Sequence, residues 1–323
     1  MTEPLWAWFA FIAFVIVMLA IDLGIFQRKA HVVRPQEAAL WTVTWVTLSL
    51  TLGGVFYFWL GQQKAIEYIT GYVLEWSLSV DNIFVFVLVF TYFKVPLKYQ
   101  QRVLLWGILG ALVLRGIMII VGVTLIEAFG WILYVFGAFL LITGLRMLFS
   151  KGEGETDLEK NPALRLVRKL IPVSSEYDGQ KFFTVKNGVR MATPLLLVLV
   201  VIEFTDLLFA VDSIPAIFAV TTDGFIVFTA SIMAVLGLRS MYFLLAHVVH
   251  RFVYLKTGLA LILVYIGIKM LLLDVLHIPS LVSLAVIISI LAISVVASLV
   301  WGKSAKPQLP SETDIASEAG TAP

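Results

Sequence analysis

The chain has no cysteine. That excludes disulfides, thiolate metal sites and thiol redox chemistry of its own. Charge is also scarce: only 14% of the 323 residues are Asp, Glu, Lys or Arg. Soluble domains carry about a quarter. Histidine occurs 4 times. His247, His250 and His277 fall near expected span ends, without metal-ligand spacing. No P-loop, dinucleotide fingerprint or nucleophile–base set is present, so neither enzyme chemistry nor a bound cofactor is expected, and nothing points to nucleic acid. Apolar residues fill what is left. They make up 60% of the chain, and its mean hydropathy is +0.98. This is the composition of a polytopic, all-α membrane protein, with the lipid bilayer as its first partner.

Nine spans fit, near 6–26, 39–60, 68–93, 101–124, 130–149, 192–219, 225–247, 256–273 and 279–301. Each is close to the ~20 residues that cross the hydrocarbon. The first span is preceded by Glu3 and followed by Arg28, Lys29 and Arg34, the reverse of a secretory leader. With the N-terminus outside, basic residues gather on the inner segments: Lys94, Lys98 and Arg102, the stretch 150–190, Arg251 and Lys256, then Lys303 and Lys306. The outer segments hold Lys64, Glu67, Glu127, Asp223, Asp274 and His277. Lys and Arg in short loops set orientation, so an outside N-terminus and a cytoplasmic C-terminus are expected. Trp6, Trp8, Trp59, Trp131 and Trp301 sit where an interfacial belt would.

Within the spans one acidic stretch occurs twice. Glu75-Trp-Ser-Leu-Ser-Val-Asp81-Asn82-Ile83 is answered by Asp206-Leu-Leu-Phe-Ala-Val-Asp212-Ser213-Ile214, with Glu203 just ahead of the second copy. Two further matches extend the repeat. Leu114-Arg115-Gly116 corresponds to Leu238-Arg239-Ser240, and Gly144-Leu145-Arg146-Met147 to Gly267-Ile268-Lys269-Met270. Spans three to five thus correspond to spans six to eight. An odd number of spans per copy makes the second enter from the opposite side, an inverted-topology repeat. The chain divides accordingly: 1–60, two N-terminal spans; 61–149, the first repeat; 150–191, a cytoplasmic linker with an amphipathic candidate at Leu164–Ile171; 192–273, the second repeat; 274–301, the last span; 302–323, a tail without apolar periodicity.

Carboxylates at bilayer depth are costly and mark function by default. Glu75, Asp81, Glu203, Asp206 and Asp212 amount to five negative charges if all ionise; Arg115 and Arg239 offset two. The surplus must bind protons or a cation. The candidate ligands, with Asn82 and Ser213, all offer oxygen, which suits hard divalent cations rather than Zn2+ or Cu+. Residues six apart differ by roughly 240° on a regular helix. Either the two ends of each motif do different jobs, or the helix is interrupted, and Pro215 marks a place for a break in span six. The plainer reading is that the acids pair with Arg115 and Arg239 to fix helix packing.

The two acidic stretches, the second running on through Pro215-Ala-Ile-Phe-Ala-Val220, resemble the signatures of the TerC family over nearly the whole chain. The resemblance is to its Alx-type branch, alkali-inducible, labelled a redox modulator and linked to manganese export. It implies an inner-membrane Mn2+ exporter, with Glu75, Asp81, Glu203, Asp206 and Asp212 handling the metal. Proton exchange is the natural coupling. Asp81 and Asp212 are the expected direct ligands, Asn82 and Ser213 complete the shell, and Arg115 and Arg239 hold the acids. The alternatives are a Ca2+/H+ exchanger and a non-transporting redox modulator or scaffold acting through partners.

Overall fold

The structure, a computed structural model, describes residues 3–26, 33–149, 162–186, 188–246, 254–275 and 278–301, and of 22–26, 81, 163 and 186 the backbone alone. It is all-α apart from one hairpin. The elements in order are α1 (Leu5–Phe26), α2 (Pro35–Trp59), α3 (Gln62–Tyr92), α4 (Leu97–Ala128), α5 (Ile132–Phe149) and α6 (Pro162–Leu170). Strands β1 (Phe183–Lys186) and β2 (Val189–Ala192) follow, then α7 (Pro194–Phe218), α8 (Gly224–Leu245), α9 (Leu255–Leu271) and α10 (Ser280–Trp301).

An apolar helix stands at each of the nine expected places. Among the described residues, seven of them are long and apolar enough to cross a membrane unaided. The other two are α9, with 17 residues, and α1, whose described apolar stretch is Leu5–Ile21. Helix α4 has 32 residues, about 48 Å at 1.5 Å each. That exceeds the ~30 Å hydrocarbon, so its polar first turns, with Lys98, Gln100 and Arg102, reach beyond it. Trp6, Trp59, Trp131 and Trp301 are exposed near helix ends, as a belt requires, whereas Trp8 turns inward against Phe225 and Phe228.

Helix α8 is the centre, buried along nearly its whole length, with α2, α3 and α4 around it. Its N-terminus is fixed by Asp223, which accepts from Phe225 N (3.0 Å) and Ile226 N (3.4 Å) and pairs with Lys64 Nζ (2.7 Å). Helix α5 packs along α9, α3 on α8, and α4 on α7. The α5–α9 contact is made by glycines. A Cβ on Gly144 would meet Ala260 O at 2.8 Å and Val264 N at 2.9 Å; one on Gly267 would meet Gly137 O at 2.8 Å and Leu141 N at 2.6 Å. Backbones approach this closely only where side chains are absent.

Two expectations change. Helix α7 runs unbroken through Pro215 to Phe218. The proline falls in the last turn; having no N–H, it leaves the carbonyl of Val211, four residues back and next to Asp212, without its helical donor. The stretch after residue 161 is more than a linker. Helix α6 covers most of the amphipathic candidate, and the antiparallel hairpin β1–β2 docks beneath the bundle. Leu164 is buried, Tyr177 Oη donates to Phe93 O (2.7 Å), and the Arg102 guanidinium lies over the Phe182 ring.

Candidate functional site

The site forms where α3, α4, α7 and α8 meet. Each is a long apolar helix, so the few polar side chains it carries must find one another. Glu75 of α3 is fully buried. Arg115 of α4 donates through Nη1 to Glu75 Oε2 and to Ser231 Oγ of α8 (3.1 Å). Ser231 Oγ donates in turn to Glu75 Oε1 (3.2 Å). The other end of the guanidinium, Nη2, lies 3.6 Å from Asp206 Oδ1 of α7. Asn82 Nδ2 of α3 donates to that same oxygen (3.0 Å). One arginine therefore spans the corresponding acids of the two motif copies, Glu75 closely and Asp206 loosely. Two carboxylates against one guanidinium leave one negative charge when both are ionised.

The remaining expected residues fall around this centre. Glu203 lies one turn before Asp206 and presses on α4 at Gly110, where a Cβ would collide with its carboxylate. Ser213 is buried. Asp212 is half-buried at the side of α7 and makes no hydrogen bond or ion pair among the described residues. The side chain of Asp81 lies outside what is described; its backbone continues α3 without interruption. Arg239 lines a crevice of about 10 Å³ together with Asp206, Gly107 and Ile202. That is about the space one water occupies.

Helix α7 being intact, Asp206 and Asp212 point in different directions. Among the described residues, no three Asp, Glu or His side chains stand close enough to hold a metal ion. The site instead has four buried oxygens without a hydrogen-bond partner: Asn82 Oδ1, Glu203 Oε2, Asp206 Oδ2 and Ser213 Oγ. Buried polar atoms are nearly always satisfied, so these orphaned acceptors stand out; Glu203 and Asn82 lie beside Asp206, whereas Ser213 is seven residues, about 10 Å, further along α7.

Sequence reasoning missed Ser231, one of several hydroxyl side chains on α8 with nothing in its spacing to single it out. It also missed a second polar cluster at the N-terminal end of α3. There Glu67 accepts from Thr221 Oγ1 (2.6 Å), and Lys64 bridges Glu67 (3.5 Å) and Asp223.

Composition, helix lengths and these buried charges together define a multi-pass integral membrane protein. The model of the integral membrane protein TerC family matches residues 60–306, and the chain belongs to that family. It is similar to "Uncharacterized membrane protein STKORF319" of Myxococcus xanthus, 52% identical over 92% of this chain and 93% of that protein. It is likewise similar to proteins named "Putative membrane-bound redox modulator Alx". The one from Salmonella typhi is 50% identical over 91% of this chain and 94% of its own length. The one from Escherichia coli K12 is 50% identical over 91% and 93%. No solved structure matches.

Proposed function

We propose that the protein is a cation carrier of the bacterial inner membrane that moves Mn2+ out of the cytoplasm in exchange for protons. The unpartnered oxygen of Asp206, with those of Asn82 and Glu203 nearby, carries this reading. Carboxylate, amide and hydroxyl oxygens suit a hard divalent ion. In the empty site Arg115 is the resident cation. An arriving metal takes Asp206, the loosely held acid, and leaves Glu75 with the guanidinium. Asn82 and Glu203 supply further oxygens at Asp206, and Ser213, about 10 Å along α7, joins Asp81 and Asp212 as further ligands or proton carriers on the path. Metal entering a crowded acidic site displaces protons, which gives the coupling. The carrier is not an enzyme and holds no cofactor; the metal is cargo.

The packing supports an inverted repeat as the moving framework. The register that aligns Gly144 with Gly267 also aligns Gly137 with Ala260 and Leu141 with Val264. The contact of Gly144 with Ala260 and Val264 is thereby the image of the contact of Gly267 with Gly137 and Leu141. In repeat-built carriers the site lies between the copies, which rock about it.

The test is Mn2+ binding to purified protein, followed by the paramagnetic signal of free Mn2+. Asp206→Asn should weaken binding at least about tenfold, as the loss of one charged ligand implies. Unchanged affinity would remove the site. Excess Ca2+ that displaced Mn2+ at parity would favour the Ca2+/H+ exchanger instead. The folded segment from Pro162 to Ala192 favours one other reading, a redox-associated scaffold that docks a partner there. Deleting the hairpin with Mn2+ binding and flux intact, but with the cellular phenotype lost, would speak for it.

A further inference from the structure

The last helix breaks the symmetry of the two repeats. Helix α10 packs on α3 and α9. Ser283 accepts from Lys269 Nζ (2.9 Å), Ser294 fills the space over Gly258, and Ile287 is fully buried. The corresponding face of the other copy runs along α7 beside α5; among the described residues α6 packs on α7, but no helix lies across both as α10 does on α3 and α9. Equivalent positions show the difference. Ser77 and Val80 of α3 are 3% and 5% exposed; their counterparts on α7, Leu208 and Val211, are 54% and 41% exposed. Ile262 of α9 is 0% exposed and its counterpart on α5, Phe139, is 37%.

Asp212 adjoins Val211 at the side of this open groove, half-buried and without a partner among the described residues. It lies six residues, about 9 Å, before the end of α7. A carboxylate at that depth facing hydrocarbon costs several kcal/mol, and such groups face the bundle interior or a water-filled cavity. We infer that the groove over α7 is the aqueous route by which a hydrated divalent cation reaches the site, with Asp212 as the first carboxylate it meets. Helix α10 covers the equivalent face of the other copy, where Ile287 is fully buried. The inference rests on the carrier reading for its ligand. Its test needs no transport, so the two can fail separately.

The chain lacks cysteine, so each introduced thiol reports alone. Leu208→Cys and Val211→Cys should react with a cationic, water-soluble methanethiosulfonate at least tenfold faster than Ser77→Cys and Val80→Cys. At Val211→Cys the cationic reagent should outpace its anionic analogue by about tenfold, because a carboxylate concentrates counter-ions. Asp212→Asn in that background should abolish the preference. Protection of Leu208→Cys and Val211→Cys from both reagents would overturn the proposal. If those thiols then cross-linked two copies, the groove would be a subunit interface; if only lipid-soluble maleimides reached them, it would face lipid.

Discussion

The two three-helix sets, α3–α5 and α7–α9, carry the same acidic signature in different surroundings. In the first, Glu75 is bound on both oxygens, by Arg115 and by Ser231, and α10 lies along the helix. In the second, Asp206 touches the same arginine at 3.6 Å and keeps one oxygen without a partner, and α7 is open along one side. Position in a repeat does not fix a residue's task. The first copy of the acid anchors the arginine, and the second is left available to a guest.

The largest effect should come from breaking the anchor. Arg115→Met leaves Glu75 buried without its partner, a loss of about 3–5 kcal/mol. It should appear as a large fall in folded yield and in thermal stability in detergent. Asp206→Asn should cost far less, under about 1.5 kcal/mol, because the amide keeps an acceptor for Asn82 and the arginine contact is weak. Equal destabilisation by the two would dissolve the distinction between anchor and guest site.

The glycine contact sharpens the comparison next. Gly144→Val and Gly267→Val both push side chains into the backbone of the partner helix and should each cost about 1–3 kcal/mol. Similar losses at the two sites are expected if the copies pack as images of one another. Gly54→Ala is the control: its Cβ meets nothing within 4 Å, and alanine favours helix by about 1 kcal/mol. Thermal unfolding of the three variants side by side decides this.

Asp223 offers a smaller test. It caps α8 and holds Lys64 of α3. Asp223→Ala should lose about 1–2 kcal/mol, chiefly the cap, while Lys64→Met should lose less than 1 kcal/mol.

The smallest effect concerns pH. Partial burial of Tyr177 pushes its phenol up to about 12. The ordinary value is about 10, so folding favours the neutral phenol. Its contribution is complete below pH ~10 and is lost as pH rises through about 12. Protease resistance of the segment from Pro162 to Ala192 should hold from pH 7 to 9.5 and fall above 10. Tyr177→Phe should remove that window while lowering resistance slightly throughout.

Much of this architecture is legible in the sequence. Long apolar runs and the basic residues between them place the helices, because the bilayer tolerates little else. The duplicated motif directs attention to Asn82, Glu203, Asp206 and Ser213, each of which has a buried oxygen without a partner. Partners across helices are harder to read, since they depend on how each helix is rotated. Spacing alone could not tell that Arg115 reaches both Glu75 and Asp206, or that Ser231 completes the first pair. The intact α7 shows that a proline three residues before a helix end need not break it. The hairpin did leave a sign, Asn187-Gly188 between Phe-Thr-Val-Lys and Val-Arg-Met-Ala, with Gly188 at φ +76°. Such a dipeptide between strand-forming runs is a strong local signal for a tight turn.

The central claim is that the available acids of the second copy, together with Asp81, carry Mn2+ across the membrane. The most direct measurement is Mn2+ flux in proteoliposomes under an imposed pH gradient, with wild type beside Asp206→Asn and Asp81→Asn. Flux that follows the gradient and is lost in both variants, each shown to be folded, is the expected result. Absence of Mn2+ flux from folded wild-type protein in either direction, or undiminished flux in both variants, would contradict it.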